Sequence, residues 1–305
     1  MKKPFLSIVI PFCDKDYFFI PQLLKNIKED VHVSYEVILI DNREKQRHQL
    51  IRIPKNISVI TKGYNCYQFE ARRYSKDFCK GEYIWYVDAD DKVLPVPDDL
   101  QEEFSKTSPD IVCFNSCFVN ENCIIGVSQS FVDRTEYDRF LYKKQGEIPD
   151  EKLLKLVQKC LWDKWIKTSL LNNIFNSIEE DLEIVASEDV FINEFCQSKA
   201  KKICICKDLI YLYRDIISHF QTKTVKNFFH ITKGYDIYLQ LKEKFIPDRT
   251  FISNIDDVKF FLDYAYQTES PEVCITRLED VFGKEDMIKI MANLKFQSNT
   301  NISVE

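Results

Sequence analysis

The 305 residues are 45% apolar and 30% charged, with a net charge of −6, a balance that supports a substantial core in one large domain or two modest ones. The negative charge argues against a nucleic-acid binder driven by phosphate contacts, and no apolar run approaches the roughly 20 residues of a membrane span. Eleven cysteines occur without a Cys-x-x-Cys pair, and six glycines form neither G-x-G-x-x-G nor a P-loop, which argues against zinc ribbons, dinucleotide dehydrogenases and P-loop kinases.

Phe5 to Ile10 reads as a short buried strand ended by Pro11, too short and too strand-like for a signal peptide. Cys13 to Asp16 is a polar loop, and Pro21 suits the first turn of a helix whose apolar face carries Leu23, Leu24 and Ile27. Glu36 to Ile40 and Ile57 to Ile60 are further strands, followed by a helix across Gln68 to Phe78. Tyr83 to Val87 is a fourth strand and Asp110 to Phe114 a fifth. Strands alternating with helices predict βαβ units and a mainly parallel sheet, which buries its strands on both faces.

Beyond Phe114 the pattern changes. Cys117 to Val119 and Cys123 to Val127 flank Asn120-Glu121-Asn122 as a hairpin. Thr135 to Lys144, Glu151 to Cys160 and Ser169 to Phe175 read as helical, and Ser187 is placed to cap a helix with Glu188 and Asp189 in its first turn. Ile203 to Cys206 and Leu209 to Tyr213 are two short strands. From about Thr224 the chain reads as mostly helical, with breaks at Pro247 and Pro271. Its aromatic stripe of Phe228, Phe229, Tyr235 and Tyr238 is core packing, or else a membrane-surface face beside Lys226 and Lys233. The cysteines read as buried thiols of a reducing cytosol.

Each early strand ends in a polar residue: Asp14, Asp41, Lys62, then Asp88, Asp90 and Asp91. In a parallel sheet these ends share one edge, where open α/β sheets bind ligands. Crowded carboxylates there fit a Mg²⁺- or Mn²⁺-phosphate site, or a polar turn that merely caps the strand.

The order of these features resembles family 2 glycosyltransferases. Leu6 to Pro11 is similar to the family's opening strand and Glu36 to Asp41 to its second. Ala71-Arg72 precedes Gly81-Glu82-Tyr83-Ile84 by the family's interval, and Asp88-Ala89-Asp90-Asp91 matches its DxD motif. Trp162-Asp163-Lys164-Trp165-Ile166 resembles its W-x-K element, Ser187 to Phe191 its E-D motif, and Tyr213-Arg214 with Ser218 the segment after it. Departures occur at Asp41-Asn42-Arg43-Glu44, where the family has Asp-Asp-Gly-Ser, and at Ala71-Arg72-Arg73, where it has A-R-N.

The resemblance implies an α/β GT-A fold, Rossmann-like with a mainly parallel central sheet and a C-terminal helical extension. It divides the chain into a nucleotide-sugar half (1–115), an acceptor half (116–222) and a helical region (223–305). It implies a metal-dependent, inverting sugar transferase of the cytoplasm or the inner membrane face, in bacterial surface polysaccharide or lipooligosaccharide assembly. The expected partners are a UDP-sugar donor and a saccharide or lipid-linked acceptor. Pro11, Phe12, Asp14, Asp41, Lys62, Arg72, Asp88 and Ala89 would meet the nucleotide-sugar, and Asp90 with His219 would hold Mn²⁺ or Mg²⁺. Trp162 and Lys164 would meet the acceptor. Asp189 would be the general base, with Glu188 orienting the acceptor or acting as base instead. A nucleotidyltransferase and a catalytically inactive glycosyltransferase-like module are the alternatives. The first would usually carry a glycine-rich basic loop near its start, and Pro11 to Tyr17 has no glycine.

Overall fold

A computed structural model describes residues 3–42, 54, 57–61, 66–119, 124–127, 139–144, 160–178, 184, 187–214, 223–246, 254–284 and 287. Residues 1–184 with 188–216 form one compact unit, and residues 217–305 with 185–187 a second. The expected division at 115/116 falls inside a strand of the first unit.

The first unit is built on one mixed sheet. Its parallel half comprises β1 (Leu6–Phe12), β2 (Tyr35–Asp41), β3 (Ser58–Thr61) and β4 (Tyr83–Tyr86). These lie in the order β3-β2-β1-β4. Every residue of β1 and β4 is buried, because such strands are covered on both faces. Register sets Phe12 beside Asp41, and Asp41 beside Thr61, so the carboxyl ends of β1, β2 and β3 form one edge.

The second half of the sheet departs from parallel. Here β5 is Lys92–Val93, β6 Ile111–Val119, β7 Ile124–Val127, β8 Phe140–Lys144, β9 Lys164–Lys167 and β10 Lys202–Arg214. Strand β9 lies antiparallel between β4 and β6, and β6 runs parallel to β10. Strands β5 and β8 pair antiparallel with β10, and β7 with β6. The β6–β7 pair is the expected hairpin, with its turn at 120–123 outside the described residues.

Helices α1 (Ile20–Asp30), α2 (Gln68–Ser75), α3 (Asp99–Thr107), α4 (Thr168–Ser177) and α5 (Glu188–Lys199) complete the unit. Pro21 sits in the first turn of α1, whose buried side carries Ile20, Leu23 and Ile27. Gly81 precedes β4 where a Cβ would lie 2.5 Å from the Ser7 backbone nitrogen, so no larger residue fits without moving β1. Trp165 of β9 is fully buried among Phe5, Trp85, Phe104 and Phe114, with ring centroids 4.8 to 6.1 Å away.

Three elements differ from expectation. The segment read as helical up to Lys144 contains β8, because Phe140 and Tyr142 alternate onto one side and Phe140 packs edge-on against Phe104. Residues 135–138 and 151–159 of the expected helices lie outside the described residues. The two strands expected at 203–206 and 209–213 are the single strand β10, whose pairing with β6 shifts register after Ile205 and again after Leu209. Helix α3 was not anticipated, since it buries only Leu100 and Phe104, too few anchors to show a period.

The second unit holds α6 (Val225–Phe245), α7 (Asn254–Ala265) and α8 (Pro271–Phe282). Thr224 caps α6 by accepting from the Asn227 N–H at 3.2 Å. Phe228, Tyr235 and Tyr238 are buried, so most of the aromatic stripe is core, while Phe229 is 40% exposed. Tyr235 and Phe228 pack on Phe261 of α7, and Tyr235 on Phe282 of α8. Among the described residues no helix is long and apolar enough to cross a membrane.

Candidate active site

The carboxylates after β4 are held in three different ways. Asp91 is buried and tied down: the Tyr211 hydroxyl donates to it at 2.6 Å and the Arg214 N–H at 2.8 Å. The same Tyr211 oxygen accepts from the Asp88 N–H at 3.1 Å, so one phenol fixes both ends of the turn. Burial, then the charge of Asp88, pushes the Asp91 carboxyl up to about 8, against the Tyr211 and Arg214 bonds. Asp91 thus orients the loop. Tyr211→Phe removes one of the two hydrogen bonds to Asp91 and strands the Asp88 N–H, and we expect it to cost about 1–3 kcal/mol. Urea unfolding measures this, and an unchanged midpoint would contradict the role given to the phenol.

Asp88 is partly exposed and receives the Arg72 guanidinium at 3.3 Å. Burial raises its pKa and Arg72 opposes that, while Asp90, Glu188 and Asp16 add to the rise. Asp90 is half-buried and has no ion-pair partner among the described residues. Its pKa is also raised, by burial and then by the charge of Asp16, with Lys15 and Arg214 opposing. Asp16 accepts from the Cys13 N–H and thiol, both at 3.0 Å, so the loop after β1 brings a fourth carboxylate toward the three.

Across from them stands the start of α5. Glu188 is buried and binds Arg72 at 2.7 Å. Asp189 is half-buried, and its Oδ1 accepts from the Val190 N–H at 2.8 Å. It therefore caps its own helix, while Ser187, expected to cap, takes a left-handed φ of 61°. Burial, then the charge of Glu188, pushes the Asp189 carboxyl up to about 7 against the pull of Arg72. Arg72 is itself 3% exposed, not an ordinary surface residue of its helix. Burial disfavours its charge, but Glu188, Asp88 and Asp189 outweigh that and keep it protonated.

The other expected residues divide clearly. Pro11, Phe12, Asp41 and Ala89 lie at the strand-end edge and are buried, and Asp14 is exposed in the loop after β1. Lys62 and His219 lie outside the described residues. Trp162 is 6% exposed and stacks on Tyr211 at 4.9 Å and Tyr213 at 5.6 Å. Lys164, expected at the acceptor, is a correction: its ammonium is fully buried on Asp163 (2.5 Å) and the Cys160 carbonyl (2.7 Å). A lone buried ammonium would be costly, so Lys164 turns inward to its neighbouring carboxylate. Among the described residues no three His, Cys, Asp or Glu side chains cluster as a ready metal cage.

Sequence reasoning passed over Asp16, Asn42 and Tyr211. Asn42 stands where the second family acid was missing, and its side chain accepts from the Cys66 N–H at 2.6 Å and donates to the Cys66 carbonyl. It thereby pins the end of β2 to the approach to α2. The departure itself was the signal for Asn42, and Asp16 was visible in the polar loop. An aromatic residue inside a strand gave no such signal for Tyr211.

A sequence profile of the family described as Glycosyl transferase family 2 matches residues 7–159, half of the chain. A search of curated proteins returned no match. Among solved structures, residues 1–349 of S. aureus TarS in complex with UDP align with a TM-score of 0.55 and 16% identity, covering 86% of this chain and 80% of that one. The same fragment without UDP gives a TM-score of 0.57 at 14% identity, covering 99% and 93%. Its UDP-GlcNAc complex gives 0.53 at 14% identity, covering 86% and 80%. At these identities the likeness shows a shared fold.

Proposed function

This chain belongs to glycosyl transferase family 2, and on that premise we propose that it moves a sugar from a UDP-sugar to a hydroxyl of a saccharide or lipid-linked acceptor, with inversion. The observation that carries this reading is the Arg72 bridge, 3.3 Å from Asp88 and 2.7 Å from Glu188, which sets the donor-side carboxylates against the Asp189 helix start. Family membership also displaces the nucleotidyltransferase alternative. The likeness to a fold solved with UDP and UDP-GlcNAc supports uracil as the donor base. Bacterial surface-glycan assembly at the cytoplasmic side of the membrane is the setting we propose.

In this reading Asp189 takes the proton of the acceptor hydroxyl as its oxygen attacks the anomeric carbon. The bond from that carbon to the diphosphate oxygen breaks, and the electron pair leaves with the nucleotide. A carboxyl held near 7 is matched to such proton transfer. Turnover therefore rises with pH through about 7 as Asp189 ionises. Asp41, Phe12, Pro11 and Asp14 line the base and ribose end, with Lys62 as a further nucleotide contact. Asp88 and Ala89 face the sugar, and Trp162 the acceptor.

A divalent cation fits Asp90. Its carboxylate lacks an ion-pair partner among the described residues and lies in the field of Asp16, so a cation relieves a repulsion already present. One or two carboxylates plus substrate phosphates are an ordinary Mg²⁺ donor set. Asp90, with His219 as a second candidate, would hold Mn²⁺ or Mg²⁺, which when bound neutralises charge developing on the leaving diphosphate.

The test is a panel of nucleotide-sugars with and without Mn²⁺ or Mg²⁺. We expect UDP release from one UDP-sugar, lost on chelation by EDTA. Neither release nor binding across the panel with metal present would refute the proposal, and binding without release would point to the inactive binding module.

A further inference from the structure

Arg72 is buried in α2, yet its guanidinium reaches two carboxylates far apart in the chain, Asp88 at the end of β4 and Glu188 at the start of α5. Its backbone is pinned as well: the Ser75 and Tyr86 hydroxyls donate to its carbonyl at 2.6 and 3.3 Å. A residue fixed this firmly is poorly suited to swing out toward a phosphate. Its Nε is buried without a partner, so the side chain is held by the two ion pairs rather than by full hydrogen bonding.

We propose that Arg72 is a positioning residue that locks the start of α5 to the end of β4 and, together with Glu188, sets the charge felt by Asp189. The purpose assigned to this clamp rests on the reading of Asp189 as the base. Among the described residues, the charges that act on Asp189 are those of Glu188 on its own helix, Arg72 on α2 and Asp88 after β4, with the Cys160 thiol before β9 also in its field. Glu188 and Asp88 favour the protonated carboxyl and Arg72 the ionised one, so the balance between Arg72 and Glu188 places the proton. Glu188 is thereby the ion-pair partner of Arg72, and Asp189 is the neighbouring carboxyl whose charge that pair biases.

The test needs no substrate. The full chain is labelled with ¹³Cγ-aspartate, the Asp189 signal is identified by its loss in Asp189→Asn, and its titration midpoint is followed by NMR. Glu188→Gln keeps a carbonyl for Arg72 but removes a negative charge, and lowers the midpoint by about one pH unit. Arg72→Gln raises it by about one pH unit, and Arg72→Lys, which keeps the charge, leaves it near that of the unmodified protein. A merely structural clamp would not produce shifts of opposite sign. A midpoint unchanged or raised in Glu188→Gln overturns the inference, and this variant decides the matter if Arg72→Gln fails to fold. Retained turnover in Asp189→Asn would instead overturn the base reading, while lost turnover with an unmoved titration would overturn the Arg72 inference alone.

Discussion

Asp189→Asn is expected to lower kcat by about 10²–10⁴-fold while donor affinity stays unchanged. The amide keeps the oxygen that accepts from the Val190 N–H, so the first turn of α5 stays capped. It removes the capacity to take a proton, together with one of the three negative charges that act on Arg72. The donor contacts proposed above lie at the β1, β2 and β4 ends, so titration of UDP binding by calorimetry separates the two steps. Turnover equal to that of the unmodified protein would refute Asp189 as base. A parallel loss of donor binding would show that the substitution disturbed the strand ends as well.

The largest effect on stability is expected at Trp165. Trp165→Ala should cost about 3–5 kcal/mol, a large share of the about 5–15 kcal/mol that holds a domain folded. The ring sits in β9, which joins the parallel half of the sheet to β6, and it touches aromatic residues from both sides of that join. No neighbour can refill the space without leaving its own contacts, because the cluster is closely packed. Urea unfolding followed by far-UV circular dichroism measures the loss. A cost under about 1 kcal/mol would contradict the central packing role.

These two residues show what a sequence can carry. Trp165 stood three positions from Trp162, and spacing alone could not say which ring was core. Tertiary structure separates their roles: Trp165 fills the centre of the sheet, while Trp162 stacks on the end of β10 beside the candidate site. Lys164, between them, is an expected acceptor contact through its place in the W-x-K element. Its neighbour Asp163 and the Cys160 carbonyl instead satisfy it inside the fold.

The local signals were strong where chain periodicity and burial agree. The continuous apolar runs of β1, β2 and β4, each closing on a polar residue, determined the parallel half-sheet, its binding edge and the family resemblance. That logic weakens for short or bulged elements: β8 has one pair of core-facing aromatics, α3 two buried anchors, and β10 an irregular register. Their conformations come from partners distant in sequence. The same holds at the site. The sequence alone supplied Asp88, Asp90 and Asp189 as carboxylates. Only the tertiary structure decided that Asp91 is tied to Tyr211, and that Arg72 lies between Asp88 and Glu188, 116 positions apart from the latter. A side chain's charge is written in the sequence, but its energetic role is set by what burial places within hydrogen-bond reach, and that is a property of the folded chain.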